Sequence, residues 1–363
     1  MILTRGARIT GAVLCAVLAA LVAGWIVRDL RAVGDPWVLV RHWAGYTDGR
    51  PGNPPATLQT DPVLLVVHVL ALFAALRSPV AASTLVATGL VTSVLRLPGV
   101  WTIGSSWTDG RFSDELRTRA LIGTFVALAA GLALVVTGAA GRRRPEGSSE
   151  PLPTRPGRRA GVTAFLALGA SGTVMTAWEI RRLLALPDAL RPGWYIGGEL
   201  RTLGLTATPP GWSSLALAVI CLVVASTALF RAVHARPLGM IAAGFLLVSG
   251  GCGIARAVHH GWLEHFGEVG TEQQLGVLTS FLLGLAGAAA LLVLARGGVE
   301  STDGRNQAYG GYGYPQGGMP GHGYPPYGST PGYGYPGGGP HGYGYPGGGA
   351  GSPQPPASPP PGW

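Results

Sequence analysis

Two segments decide the fold of this chain: Trp25-Ile-Val-Arg-Asp-Leu-Arg-Ala-Val-Gly-Asp35 and Trp178-Glu-Ile-Arg-Arg-Leu-Leu-Ala-Leu-Pro-Asp188. When they are aligned without a gap, the tryptophan, the first arginine, a leucine, the alanine and the aspartate coincide. Each segment follows the first of four apolar stretches. The match therefore predicts that a four-helix membrane unit has been duplicated within one chain.

The hydropathy of the chain indicates eight membrane spans. A bilayer core of roughly 30 Å needs about 20 apolar residues per helix. Stretches near that length lie at 10–27, 62–77, 79–95, 119–139, 160–180, 213–234, 238–258 and 274–295. Because each repeat has an even number of spans, the second starts from the same side as the first, and the repeats are parallel rather than inverted. We predict an all-α polytopic membrane protein of eight transmembrane helices.

Composition divides the predicted protein into four regions. The two four-helix repeats occupy 1–139 and 161–297, and an Arg-rich linker at 140–160 joins them. Residues 298–363 form a tail that contains three copies of Gly-Tyr-Gly-Tyr-Pro and no aliphatic core. Such a segment cannot offset the entropy lost on folding, so we predict that the tail is disordered.

Charge and composition predict the location of the protein. All 26 basic residues are arginine, and abundant Ala, Gly and Pro suggest a GC-rich bacterial genome. Short arginine-rich connections stay in the cytoplasm, so the 140–160 linker places both termini on the cytoplasmic side of the plasma membrane. The longer loops, at 28–61, 96–118, 181–211 and 259–273, then lie outside. The formal charge of +9 fits topology and anionic lipid better than nucleic acid.

The repeated segments suggest a first candidate site. In a helix, Trp25 and Arg28 lie on one face, as do Trp178 and Arg181. The favoured interpretation is an interfacial anchor, in which tryptophan lies at the lipid headgroups and arginine extends to phosphate. The alternative is an external pocket in which Arg28 and Arg181 flank an anionic ligand.

His68 is the second candidate, because it is the ionisable residue nearest the middle of a predicted span. It could bind haem or relay protons. A bis-histidine haem would need a second mid-span histidine, and the corresponding region of the second repeat offers Cys221 instead. We expect an interior histidine that is hydrogen-bonded to a neighbouring helix.

The loop after the seventh span is the third candidate, since it contains three histidines and two acids: His259, His260, Glu264, His265 and Glu268. Imidazole and carboxylate groups suit zinc, copper or iron. However, Gly261 and Gly267 weaken the helix that this ligand geometry requires. We expect a polar loop with no cofactor, and we keep a metal ion as the alternative.

Small residues predict how the helices pack. Gly123, Ala127 and Gly131 recur every four residues in the fourth span, and Ser280, Gly284 and Ala288 do so in the eighth. Such faces allow close helix approach, so we expect these two spans to pack together across the repeat axis.

No motif identifies a reaction. The leading hypothesis is a non-enzymatic membrane scaffold or assembly factor, with protein partners bound through the external loops and the tail, and with self-association as an alternative. A small-solute transporter or channel is the second hypothesis, because parallel repeats occur in transporters. A metal- or haem-dependent membrane oxidoreductase is the third.

Overall fold

The computed structural model describes residues 2–46, 55–108, 112–143, 154–198, 204–296 and 299–300. The predicted tail at 298–363, apart from 299–300, and the middle of the linker, 144–153, lie outside these residues. The described residues form eleven helices, one 3₁₀ turn and four two-residue strands.

Eight of these helical segments are long and apolar enough to cross a membrane, so the predicted number of spans is confirmed. In the first half they are α1 Arg5–Val33, α3 Thr60–Arg77, α4 Ala81–Arg96 with its extension α5 Gly99–Thr102, and α6 Asp114–Ala140. In the second half they are α7 Arg158–Ala185, α9 Pro210–Leu229, α10 Ala235–His259 and α11 Thr271–Ala295. Two short helices, α2 Pro36–Ala44 and α8 Arg191–Tyr195, follow the first span of each half.

The repeated segments are helical, which shortens the predicted loops at 28–61 and 181–211. Helix α1 continues past Trp25 to Val33 and ends where Gly34 adopts a left-handed conformation (φ 76°). Asp35 then accepts a hydrogen bond from the backbone N–H of Trp37 and caps α2, with Pro36 in the first turn. The aspartate that ends the repeated segment therefore starts a second helix.

The helices follow the same packing order in both halves. The first and second spans of each half pack together, as do the third and fourth: α1 with α3, α4 with α6, α7 with α9 and α10 with α11. Each half also brings its two ends together through a short antiparallel strand pair. Strand β1 Ile2–Leu3 pairs with β2 Arg142–Arg143, and β3 Thr154–Arg155 pairs with β4 Val299–Glu300. The duplication itself stays a prediction, and these contacts support it.

The strand pairs define one end of the bundle, which we call the termini face. Pro79 follows the second span directly, and because proline suits the first turn of a helix and not its interior, it predicts a tight helical hairpin there. This hairpin lies at the termini face, between Arg77 and Ala81. The other end, called the pocket face, carries α2, α8 and the ends of α4 and α10. It receives the segments 55–59 and 204–209, which connect to the second span of each half.

Small residues pack within each half, contrary to the expectation that the fourth and eighth spans meet. Gly131 of α6 lies against Gly89 and Ser93 of α4, and Gly284 of α11 lies against Gly250 of α10. The close contact is therefore between the third and fourth spans of the same half. The reason is that the facing helix also offers glycine at the crossing point, so both backbones can approach.

The two halves meet through their second and third spans. Helix α10 contacts both α3 and α4, and α4 also contacts α9. Buried apolar residues from both halves form one cluster there, including Leu64, Val91, Cys221 and Leu246. Large apolar side chains such as Leu132 and Leu285 remain exposed on the outer surface of the bundle, as expected for helices that face lipid.

Candidate ligand-binding site

A buried carboxylate organises the pocket face of the first half. Asp29, at the end of α1, is fully buried and accepts hydrogen bonds from the backbone N–H groups of Ala56 and Thr57 at 3.1 and 2.8 Å. It also accepts one from the Thr57 hydroxyl and pairs with Arg28 at 2.8 Å. These bonds fix the segment that leads into α3 against the end of α1.

A second buried acid joins the two halves. Asp61 in the first turn of α3 forms an ion pair with Arg96 at the end of α4, and both side chains are buried. Arg96 also donates to the backbone carbonyl of Thr206, 3.2 Å away in the second half. The hydroxyl of Thr208 donates to the carbonyl of Leu95 at 2.8 Å. The first-half charge pair thus holds the connecting segment of the second half.

Glu179 performs a similar task in the second half. Its buried carboxylate accepts hydrogen bonds from Arg182, from the indole N–H of Trp194 at 3.2 Å and from the hydroxyl of Tyr195 at 3.0 Å. Burial, and then the hydrogen bond to Glu179, raise the pKa of Tyr195 to about 12, so this hydroxyl stays protonated and donates. Arg182 also lies 4.9 Å from the centre of the Trp194 ring. These contacts hold α8 against α7.

A cavity of about 530 Å³ lies between the two halves at the pocket face. Its size is within the range of small-molecule sites. Both halves contribute to its wall: His42, Trp43, Gly45, Gln59, Thr60, Val91 and Leu95 from the first, and Met175, Arg182, Trp194, Ser213, Ser214, Leu217, Ile220, Phe245, Ser249 and Arg256 from the second. A second cavity of about 460 Å³ shares Met175, Arg182, Ser214 and Arg256 with it. The two arginines therefore lie where the cavities adjoin.

Arg256 is the charge in this cavity that lacks a counter-charge. Its guanidinium makes no ion pair and no hydrogen bond with the described residues, and its Nε atom is buried. The guanidinium packs beside Gly45, where an added Cβ would lie 3.5 Å from Cζ. Arg182, by contrast, is already paired with Glu179. A guanidinium without a counter-charge can bind a carboxylate or a phosphate.

His42 adds a second unpartnered polar atom to the cavity wall. Its Nε2 is buried without a hydrogen-bond partner among the described residues. Burial lowers the pKa of His42 below its usual 6.5, and the nearby Asp29 opposes this shift. Because a buried polar atom without a partner costs free energy, both residues favour a polar ligand. Arg256 requires a hydrogen-bond acceptor, and the neutral His42 ring can donate from Nε2 in the tautomer that carries its proton there.

The arginines of the repeated segments both have acidic partners. Arg28 pairs with Asp29, and Arg181 pairs with Glu272 of α11 at 2.8 Å. Trp178 donates its indole N–H to the hydroxyl of Thr279 at 2.9 Å and lines the second cavity. Trp25 packs in a small cluster with Ile103 and Ala120. The structure thus uses these residues to hold helices together, and it does not bring Arg28 and Arg181 to one pocket.

His68 is buried, and its Nε2 lies 2.9 Å from the hydroxyl oxygen of Thr92 in α4. This is the helix-to-helix hydrogen bond that the sequence led us to expect. The other ring nitrogen, Nδ1, has no partner among the described residues, and neither has the hydroxyl of Thr88. The haem alternative stays a prediction.

The histidines of the 259–268 loop contact aromatic rings. His259 stacks on Tyr46 with 4.3 Å between ring centres, and His260 stacks on Trp262 at 5.1 Å. His265 lies at the surface, with Nδ1 3.3 Å from the carbonyl oxygen of Gly261. No group of three His, Cys, Asp or Glu residues in the described ranges is arranged to hold a metal ion. Glu264 and Glu268 complete the predicted set, and the metal site stays a prediction without geometric support.

Sequence reasoning missed Arg256 and His42. Arg256 lies inside the predicted span 238–258, close to its end, and an intramembrane arginine is a signal for function. His42 carries no such signal, because it lies in a segment that the sequence assigned to a loop. Neither residue is near the other in the sequence, so only the packing of α2 against α10 brings them to one cavity.

The chain has no significant similarity to any family model, curated protein or solved structure. Its classification therefore depends on its own features: eight apolar helices that make it a multi-pass membrane protein, and a cavity between its halves that carries an unpaired arginine.

Proposed function

We propose that this protein is a membrane carrier that binds an anionic solute in the cavity between its two halves. Arg256 is the observation that carries the proposal, because its positive charge faces a cavity and has no acidic partner among the described residues. A buried or half-buried charge is costly unless it is paired. A bound anion would supply the missing partner.

A comparison between the halves supports this interpretation. In the first half, Arg96 near the end of the third span is neutralised by Asp61 in the first turn of the second span. In the second half, Arg256 is also near the end of the third span, but the second span begins with Pro210-Gly-Trp212 and offers no acid. The second half therefore lacks an internal counter-charge at the place where the first half has one.

The position of the cavity favours a carrier over a receptor. Transporter sites lie between internal repeats, and movement of one half against the other changes access to them. Here the wall is formed by both halves, through α2, α3 and α4 on one side and α7, α9 and α10 on the other. With the termini in the cytoplasm of a bacterium, as the arginine-rich linker indicates, the cavity lies near the outer surface of the plasma membrane.

Binding of simple anions to the full chain in phosphatidylcholine nanodiscs tests the proposal. We expect inorganic phosphate, sulfate or acetate to raise the midpoint of thermal unfolding relative to chloride at equal ionic strength, because a ligand that binds only the folded state stabilises it. The variant Arg256→Gln should lose this shift. Arg31→Gln, at an exposed arginine on the same end of the bundle, is the matched control and should keep it. If no anion shifts the midpoint, or if Arg256→Gln responds like the wild type, the proposal is wrong.

The scaffold hypothesis depends on residues 298–363, nearly all of which lie outside the described residues. Affinity purification of the full chain from native membranes, beside a version that ends at Gly298, tests it separately. Partners that are lost with the tail would support a scaffold, and identical partner-free preparations would contradict it. The two hypotheses concern different regions of the chain, so both experiments are informative.

A further inference from the structure

The cavity between the halves changes from charged to apolar along its length. On α10, Arg256 lines the end near the pocket face, and Phe245 lines a point eleven residues earlier in the same helix. At 1.5 Å per residue this separation is about 16 Å along the helix axis. Three turns of α10 therefore form one wall, with a cation at its outer end and an aromatic ring at its inner end. Ser249 lies between them.

Two further helices show the same gradient. On α9, Ser213 and Ser214 line the outer end of the cavity, whereas Leu217 and Ile220 lie deeper in the membrane by about a turn or two. On α7, Arg182 lies at the outer end and Met175 two turns deeper. Helix α7 runs towards the pocket face and α9 runs away from it. The change from polar to apolar residues on both helices therefore follows distance from the pocket face and not the direction of the chain.

The first half completes the gradient. At the outer end it contributes the unpartnered Nε2 of His42, together with Gln59 and Thr60. Deeper in the bundle α4 contributes Val91, whereas Leu95 lies beside Arg96 nearer the pocket face. The guanidinium and the imidazole that can bind an anionic head thus lie at one end of the cavity, and beyond Ser249 the wall is suited to hydrocarbon.

Resting on the proposed function, we infer that the ligand is an anionic amphiphile, with a phosphate- or carboxylate-type head at Arg256 and His42 and a hydrocarbon chain along Leu217, Ile220 and Phe245. A small inorganic anion would satisfy the outer end but leave the apolar end unfilled. A chain-bearing anion fills both, and the apolar contact adds to its affinity. The substrate class is therefore lipid-like rather than a free ion.

Three probes distinguish the contribution of the anionic head group to binding from that of the hydrocarbon chain. Binding of n-dodecyl phosphate, inorganic phosphate and dodecanol is measured by calorimetry on the full chain in phosphatidylcholine nanodiscs, with empty nanodiscs as the reference. We expect n-dodecyl phosphate to bind at least 100-fold more tightly than inorganic phosphate and at least 10-fold more tightly than dodecanol. Arg256→Gln should weaken n-dodecyl phosphate at least 10-fold and leave dodecanol unchanged.

A pair of variants on one helix tests the depth of the site. Ile220→Trp fills the apolar end, so n-dodecyl phosphate should no longer bind more tightly than inorganic phosphate. Inorganic phosphate should still bind, which shows that the variant is folded. Val219→Trp, at the neighbouring residue on the lipid-facing side of α9, is the control and should bind all probes like the wild type.

The outcomes that overturn the inference are distinct from those that overturn the proposed function. Equal affinity for n-dodecyl phosphate and inorganic phosphate would refute the amphiphile and leave an anion site in place. If dodecanol bound as tightly as n-dodecyl phosphate, the assigned position of the head would be refuted. If Ile220→Trp still bound n-dodecyl phosphate more tightly than inorganic phosphate by the wild-type factor, the assigned position of the chain would be refuted. If no probe binds above the empty-nanodisc reference, both the inference and the proposed function are wrong.

Discussion

Three buried carboxylates, those of Asp29, Asp61 and Glu179, hold the pocket face of this protein together through arginine partners. Asp61 and Arg96 are an example, since the pair joins α3 to α4 and reaches Thr206 of the second half. Removing one member of such a pair leaves an uncompensated buried charge, which is more costly than the pair is stabilising. The pair therefore offers a direct test of the packing at this face.

We expect Asp61→Ala to lower the free energy of unfolding by about 3–5 kcal/mol, because Arg96 would remain buried without its acid. The measurement is denaturant unfolding in detergent micelles. Glu115→Ala is the control: Glu115 pairs with Arg119 in α6, and both side chains are exposed. Its loss should cost less than about 1 kcal/mol. Similar small effects of both substitutions would contradict the buried pair.

His42 should make stability depend on pH. Burial lowers its pKa in the folded state below 6.5, so the unfolded chain takes up a proton first as the pH falls. The free energy of unfolding then decreases below about pH 6.5 and levels off below the folded-state pKa. Unfolding measured between pH 8 and 5 should show a shallower decrease in His42→Gln. An unchanged slope in His42→Gln would refute the assignment.

Helix pairs are held at short distance by glycine, and the pair α10–α11 provides neighbouring residues that differ in surroundings. An added Cβ at Gly250 would lie 2.6 Å from the carbonyl oxygen of Ser280. At Gly251 it would meet nothing within 4 Å. The two glycines share a helix and a depth in the membrane, so a comparison isolates the helix–helix contact.

Gly250→Ala should lower the free energy of unfolding by about 1–3 kcal/mol, since α11 must move away to make room. Gly251→Ala should instead raise it by about 0.5–1 kcal/mol, because alanine loses less backbone entropy than glycine in a helix. Both values follow from denaturant titration of the purified variants. An equal response of the two variants would show that Gly250 does not mediate a close contact.

At the scale of the whole molecule, two halves with the same packing order share one apolar cluster. The cluster includes Leu64 and Val91 from the first half and Leu246 and Cys221 from the second. The indole N–H of Trp212 also donates to the carbonyl of Val94, 2.9 Å away across the boundary. These contacts do not need a continuous chain between the halves.

We therefore expect residues 1–150 and 151–363, expressed as separate tagged chains, to assemble in the membrane. Co-purification through either tag should recover both chains, because the interface between them is apolar and hydrogen-bonded. An unrelated tagged four-helix membrane protein is the control for non-specific association, and it should not be recovered. Halves that purify separately would contradict the shared interface.

The sequence by itself determined the number and approximate position of the spans, the tight hairpin at Pro79 and the hydrogen-bonded interior character of His68. These are local properties: a span depends on the hydropathy of consecutive residues, and a hairpin depends on the backbone chemistry of one proline. The sequence also singled out Trp178 and Arg181, but it did not show that their partners are Thr279 and Glu272.

The tertiary structure alone decided that Arg96 has an acidic partner and that Arg256 has none among the described residues. Arg28, Arg96 and Arg256 all lie near span ends. Asp29 follows Arg28 directly, but the residues beside Arg96 and Arg256 do not distinguish these two. Asp29 and Asp61 are close enough to neutralise the first two, but α9 brings no acid to Arg256. Helix packing depends on how well the surfaces of residues far apart in the sequence fit together, for example where glycine lies at a helix crossing. Hydropathy does not report this fit. The cavity, its unpaired arginine and its gradient from charge to hydrocarbon therefore appear only once the helices are packed.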